Sequence, residues 1–256
     1  MGTKAHGRIL VWEGASLWIL SAPAGEQYPR TDVHAHHVIQ VTLALTGRVD
    51  FESDRGRVAG SYLAVAPDAP HAFAGTGTVA HLFVASDGQA GREIARTLFA
   101  DGPIVHLPAE RLGDIPARLR ATFARRAHSD EDLRALGREL IARLAGEGVR
   151  APRVDRRVAK LIAWVSARLE QPVSLGEVAA VVGLSKGRTR HLFVEQTGLS
   201  FRTFLLWLRL VRAVEMFAVG ASLTEAAHEA GFSDSAHLSR TFRRMFGIAA
   251  ATLRLS

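Results

Sequence analysis

The sequence contains no cysteine. Disulfide staples, thiolate nucleophiles, cysteine-ligated zinc and thiol-based redox or mercury sensing are therefore outside its chemistry, as is alkyl transfer to a cysteine. Lysine occurs only at Lys4, Lys160 and Lys186, so cationic work falls to arginine. With alanine so abundant, this matches a GC-rich coding bias, and no function is attached to the shortage. No run of 18 apolar residues occurs, and the N-terminus lacks a charged, apolar and small-residue signal pattern. A soluble cytoplasmic protein is the expectation.

The 256 residues are enough for two domains, each with its own core. The net charge of +7 is unevenly placed. Residues 1–152 carry as many acidic as basic side chains, and the whole cationic excess lies in 153–256. Basic charge gathered in one domain is what contact with phosphate requires.

That basic part reads as one helical motif written twice. SLGEVAAVVGLSKGRTRHLFVEQTGLS starts at Ser174 and SLTEAAHEAGFSDSAHLSRTFRRMFGIA at Ser222. Ser174 matches Ser222, Glu177 matches Glu225, Ala179 matches Ala227 and Gly183 matches Gly231. One residue inserted in the second turn then brings His191 onto Arg240, Phe193 onto Phe242 and Gly198 onto Gly247. Each copy has the parts of a helix-turn-helix. A serine with glutamate three residues on forms a capping box, an alanine admits a close helix, and a glycine suits the left-handed end. Ser185, and Ser233 or Asp234, recap the chain for a second helix. Ordinary helical hairpins with solvated basic faces share the periodicity, but two copies with matching caps favour a DNA-docking geometry.

At these residues the chain resembles the AraC/XylS family of bacterial transcription regulators. The matching string includes Gly183-Leu184-Ser185, Leu192-Phe193, Thr197-Gly198, Ser200-Phe201, Arg209-Leu210, Gly231-Phe232, Asp234, Arg240, Phe242, Phe246-Gly247 and Arg254. It covers about the last 85 residues. The chain departs from the family where Thr189 replaces a core leucine, His191 an arginine, and Ala250 a proline. The resemblance implies that outward residues of the two recognition helices reach base edges. Here these are Gly187, Arg190 and His191, then Ser235, Ala236, Ser239 and Arg240. Lys186, Arg188 and Arg243 complete the two faces.

Residues 8–86 are short apolar runs broken by turn residues, as in an antiparallel β-barrel or sandwich. His34-Ala35-His36, Gln40 and Gly47, then Pro67-Asp68-Ala69-Pro70-His71, resemble the two motifs of a cupin barrel, the usual sensory domain of one branch of the family. Strand alternation would put His34, His36, Val38 and Gln40 on one face, with His71 arriving from the neighbouring hairpin. Three imidazoles suit a zinc, iron or nickel ion. The neutral amide at 40, where cupins have glutamate, supplies no anionic ligand, which favours pocket-lining residues over a functional metal. His37 should face outward, the side of His81 is undetermined, and core packing is expected of Trp12 and Trp18.

Amphipathic helices are predicted over 89–101, 109–127 with Pro116 at a start or kink, and from a Ser129 cap onward. In cupin-bearing relatives such helices often form a dimer contact, and packing within the chain serves equally well here. The expected fold is α+β: a cupin-like effector barrel at 1–88, a helical extension at 89–145, a linker at 146–152, and an all-α double helix-turn-helix domain at 153–256. A helix near 155–170 should open this last domain, and one over 200–219 should join the two motifs. The resemblance implies a non-enzymatic regulator. Its expected partners are double-stranded DNA, a small-molecule effector at His34, His36, Gln40 and His71, RNA polymerase, and a second copy. A cupin metalloenzyme with a DNA-binding tail, or a regulator whose barrel is structural, are the other readings.

Overall fold

The computed structural model describes residues 6–249 except 13, 87, 126–129, 147–154, 198 and 219. The linker after Gly146, the Ser129 cap, Ala250 and Arg254 thus lie outside the described residues. Among the described residues the N-terminal part has nine strands: β1 (His6–Trp12), β2 (Ala15–Ser21), β3 (Val38–Ala44), β4 (Val49–Ser53), β5 (Gly56–Gly60), β6 (Tyr62–Val65), β7 (Ala72–Gly75), β8 (Thr78–Ala85) and β9 (Ile104–His106). They form two sheets, one ordered β1-β2-β8-β3-β6-β9 and the other β5-β4-β7. The expected barrel is corrected on this point: among the described residues the strands make two facing sheets and no closed ring. The short strand β9, not foreseen, extends the larger sheet beside β6.

The two faces of the larger sheet explain why its central strands β3 and β8 are buried along almost their whole length. Leu17, Ile19, Ile39, Val41, Leu43, Leu82 and Val84 point to one face and join a core with the helices. These helices are α1 (Gln89–Leu98), α2 (Ala109–Leu112), α3 (Ile115–Ala124) and α4 (Asp130–Ala145). Pro116 sits at the start of α3, after a break at Gly113, where its missing N–H leaves no intrahelical bond unmade. The apolar stripe Leu133, Leu136, Leu140 and Leu144 of α4 is buried in this core. It is therefore spent on packing within the chain. The opposite sheet face carries Trp18, Gln40, Thr42, His81 and Phe83. At one end of this face Ala44 and Val79 pack with Phe51 and Phe73 of the second sheet. At the other end Trp18, Val38 and Phe83 pack with the C-terminal helices.

Those helices are α5 (Arg156–Ser166), α6 (Leu175–Val182), α7 (Lys186–Thr197), α8 (Phe201–Ala218), α9 (Leu223–Glu229) and α10 (Ser235–Phe246). Helix α5 stops four residues short of Glu170, in a run of turns. The joining helix α8 agrees with the sequence reading to within a residue at each end. None of the described helices is long and apolar enough to cross a membrane.

Candidate functional site

The two helix-turn-helix units are α6–α7 and α9–α10. Both predicted capping boxes form. Ser174 Oγ accepts from Glu177 N while Glu177 Oε2 accepts from Ser174 N, and Ser222 and Glu225 repeat the exchange. Each box satisfies two of the amide donors that a helix start leaves unpaired. Gly183 ends α6 in the left-handed conformation, at φ 68°. Ser185 Oγ then accepts from Arg188 N, and Asp234 Oδ1 from His237 N, to start α7 and α10. In α7, Leu192 and Phe193 are buried, and so is Thr189, whose hydroxyl donates to Ser185 O at 2.9 Å. A hydroxyl in the usual leucine position is thus satisfied within its own helix. In α10, Leu238, Thr241, Phe242 and Phe246 are buried.

Packing of those residues fixes what faces outward. Lys186, Gly187, Arg188, Arg190 and His191 are exposed on α7; Ala236, Arg240 and Arg243 are exposed on α10, with Ser235 and Ser239 half-buried. Among the described residues no ion pair engages Lys186, Arg188, Arg190 or Arg240. Arg243 differs, for its Nε donates to Asp32 Oδ2 at 2.5 Å.

The second cluster lies in the N-terminal part. Strand β3 begins only at Val38, so His34 and His36 are not on the regular strand that alternation implied. They are gathered by another route. His34 and His71 form an isolated antiparallel bridge, with N–H to carbonyl distances of 2.9 Å in both directions. The His34 and His71 ring centroids are 4.4 Å apart, and His36 and His71 5.0 Å. Ring nitrogens of His34, His36 and His71 all lie within 4.8 Å of one another. His37 is exposed beside Asp68, facing away. His81, whose side the sequence left undetermined, points inward, with Nδ1 3.0 Å from Thr42 Oγ1.

The hydrogen bonds set the tautomers. Nδ1 of His34, His36 and His71 lies 2.9, 3.0 and 2.8 Å from the carbonyls of Asp32, Val38 and Ala69. A carbonyl only accepts, so each Nδ1 carries the proton, and a neutral ring keeps Nε2 bare. Burial disfavours a second proton. It lowers the pKa of His34 and His36 and pushes His71 and His81 down to about 3, with neighbouring imidazoles adding to the effect at His34, His71 and His81. Nε2 of His36 and His71 sits 2.9 and 3.2 Å from Gln40 Oε1, so two bare nitrogens face an amide oxygen. Two arrangements relieve that repulsion. The amide can turn, donating to the rings while Thr42 donates to its oxygen, or a cation can take all the lone pairs. Metal-binding imidazoles are usually tied back in this way, the other ring nitrogen donating to a carbonyl or carboxylate. Around a tetrahedral zinc the nitrogens stand about 3.4 Å apart, so the rings would close by roughly 1.4 Å or less. His34, His36 and His71, with Gln40 as a neutral fourth donor, fit such an ion.

Sequence reasoning missed the seam between the two parts. Trp18 packs its ring 4.3 Å from Phe246 and 6.0 Å from Trp207, and Phe83 lies 5.9 Å from Trp207. Beside it runs a cleft of about 450 Å³ lined by Trp12, Arg92, Arg138, Ile141, Gln196 and Thr197. Isolated tryptophans in a pattern show that they are apolar, not which surface they cover, so no local signal marked this contact.

Residues 178–256 match the family model of a helix-turn-helix domain. The transcriptional regulator GbdR of Pseudomonas aeruginosa PAO1 is 32% identical over 93 residues, 36% of this chain and 25% of its own. The transcriptional activator RhaS of Enterobacter sp. strain 638 is 39% identical over 94 residues, 36% of this chain and 34% of its own. The chain thus spans a quarter to a third of the curated relatives it matches. Among solved structures, a single-residue variant of apo ToxT of Vibrio cholerae superposes with a TM-score of 0.51 at 10% identity, over 97% of this chain and 100% of that one. That likeness concerns the fold alone, and it spans both the β-rich part and the helical part. The chain therefore carries a helix-turn-helix domain over residues 178–256, joined to a β-rich N-terminal part in a fold similar to that structure.

Proposed function

We propose that the chain is a sequence-specific DNA-binding transcription regulator controlled by a small organic effector held at the histidine cluster. One observation carries the DNA reading: two separately capped recognition helices expose Arg190 and Arg240, one position apart in the aligned motifs, while their inner faces are buried. Arginine makes two hydrogen bonds to guanine O6 and N7, so each helix can read a base pair. Gly187 brings no side chain to α7, leaving that helix fewer contacts and a larger share for DNA shape. Lys186, Arg188 and Arg243 set register on phosphate.

The effector reading draws on His34, His36, Gln40 and His71, a polar set enclosed by two apolar clusters. A solved structure of wild-type ToxT, similar in fold, holds an unsaturated fatty acid, so the architecture admits a small organic ligand. The cupin character of the domain, its extent over 1–88, and contacts with RNA polymerase or a second copy belong to the same proposal. Binding-site selection with the full-length chain tests the DNA reading. Recovery of one enriched asymmetric sequence is expected. An unenriched pool would overturn the claim of specificity.

A further inference from the structure

Recognition helix α10 ends against the N-terminal part of its own chain. Asp32 donates its backbone N–H to Gly247 O at 2.6 Å, and its carboxylate accepts from Arg243 Nε at 2.5 Å. Gly247 closes α10 at φ 66°, and a Cβ there would stand 2.5 Å from both Asp32 O and His34 Nδ1. Only a residue without a side chain admits this approach. Below the ion pair, Trp18 and Phe83 of the sheet pack on Trp207 and Phe246, giving the contact an apolar floor. Arg243 lies three residues beyond Arg240, at the next turn of the exposed face, where a cation would meet the DNA backbone. A carboxylate has taken that cation.

We propose that the C-terminal end of α10 is an interaction surface whose occupant, in the DNA-free chain, is the segment 31–34, with Asp32 standing where a phosphate would meet Arg243. This rests on the reading of α10 as a DNA-contacting helix. The chemistry of the two occupants is the same, an anionic oxygen on a guanidinium, so Asp32 and a phosphate exclude each other at that nitrogen. The segment also supplies His34 to the histidine cluster, and His34 Nδ1 donates to the carbonyl of Asp32 itself. The competitor and the cluster thus share a few residues of backbone.

The test is a double-mutant cycle on the full-length chain, read by affinity for a duplex recovered through binding-site selection. An exposed ion pair contributes little, so Asp32→Ala is expected to raise affinity about two- to five-fold at low salt. Asp32→Asn, which keeps the size and the backbone contact, should do the same. In an Arg243→Ala background the gain should vanish. An equal gain in both backgrounds would reduce Asp32 to a general charge effect and overturn the proposal, as would no gain in either. If no variant binds DNA, the reading of α10 falls and this inference falls with it. Specific binding that ignores Asp32 removes this inference alone.

Discussion

His36 and Phe83 meet edge to face, ring centroids 5.5 Å apart, and Phe83 in turn touches Trp207 of the helical domain. One aromatic ring therefore separates the histidine cluster from the core beneath the recognition helices. On the proposed effector reading, a ligand that moved His36 would bear on α8 and α10 through that ring, as well as along the backbone from His34 to Asp32.

The cationic faces of α7 and α10 imply steep salt dependence. With several phosphates neutralised, affinity of the full chain for its selected duplex should fall about 10³-fold or more between 50 and 200 mM salt. Fluorescence anisotropy across that range measures the slope. A flat response would mean that phosphate contacts contribute little.

The two helices should read separate parts of one asymmetric site, about 34 Å or one turn apart. Arg240→Ala is expected to relax preference at one or two positions, by about 1–3 kcal/mol, without altering the other half. Arg190→Ala should do the reverse. Selection experiments with each variant decide the matter, and uniform weakening across all positions would count against base reading.

His36→Ala should abolish response to the effector while DNA binding by the full chain persists. A screen of small organic molecules by thermal shift, followed by DNA binding with and without the hit, supplies the readout. A hit that acts equally on the variant would place the effector elsewhere, with the cleft beside Trp12 and Arg138 as the next candidate. Protein purified without added metal should carry less than one equivalent. Added Zn²⁺ should raise the unfolding midpoint of the native chain and leave His71→Ala unmoved.

The buried imidazoles also set the response of stability to acid. His71 and His81 stay neutral in the fold down to about 3, whereas in the unfolded chain they protonate near 6.5. Between those values the unfolded state binds more protons, so stability falls as pH drops below about 6.5. Each such group contributes up to about 1.4 kcal/mol per pH unit. Urea unfolding at pH 7, 6 and 5 should show this slope, and His81→Gln should make it shallower by about one proton. An unchanged slope would mean that His81 is already protonated or exposed.

Much of the helical domain was legible because its signals are local. A capping box needs only Ser174 and Glu177, or Ser222 and Glu225, and a left-handed helix end needs only Gly183. The gathering of His34, His36 and His71 was also readable, though the stated reason, strand alternation from His34, does not hold. A bridge to His71 brings the rings together instead, because β3 starts four residues later. Two facing sheets rather than a closed ring, the strand at Ile104–His106, and the inward turn of His81 were decided by pairing over long sequence distances. So were the seam of Trp18 on Phe246 and the hold of Asp32 on Arg243, 211 residues apart. Periodicity and caps record what a residue prefers among its near neighbours. Which distant surface it meets follows from burying the remaining apolar area, and that sum is settled only when the whole chain has folded.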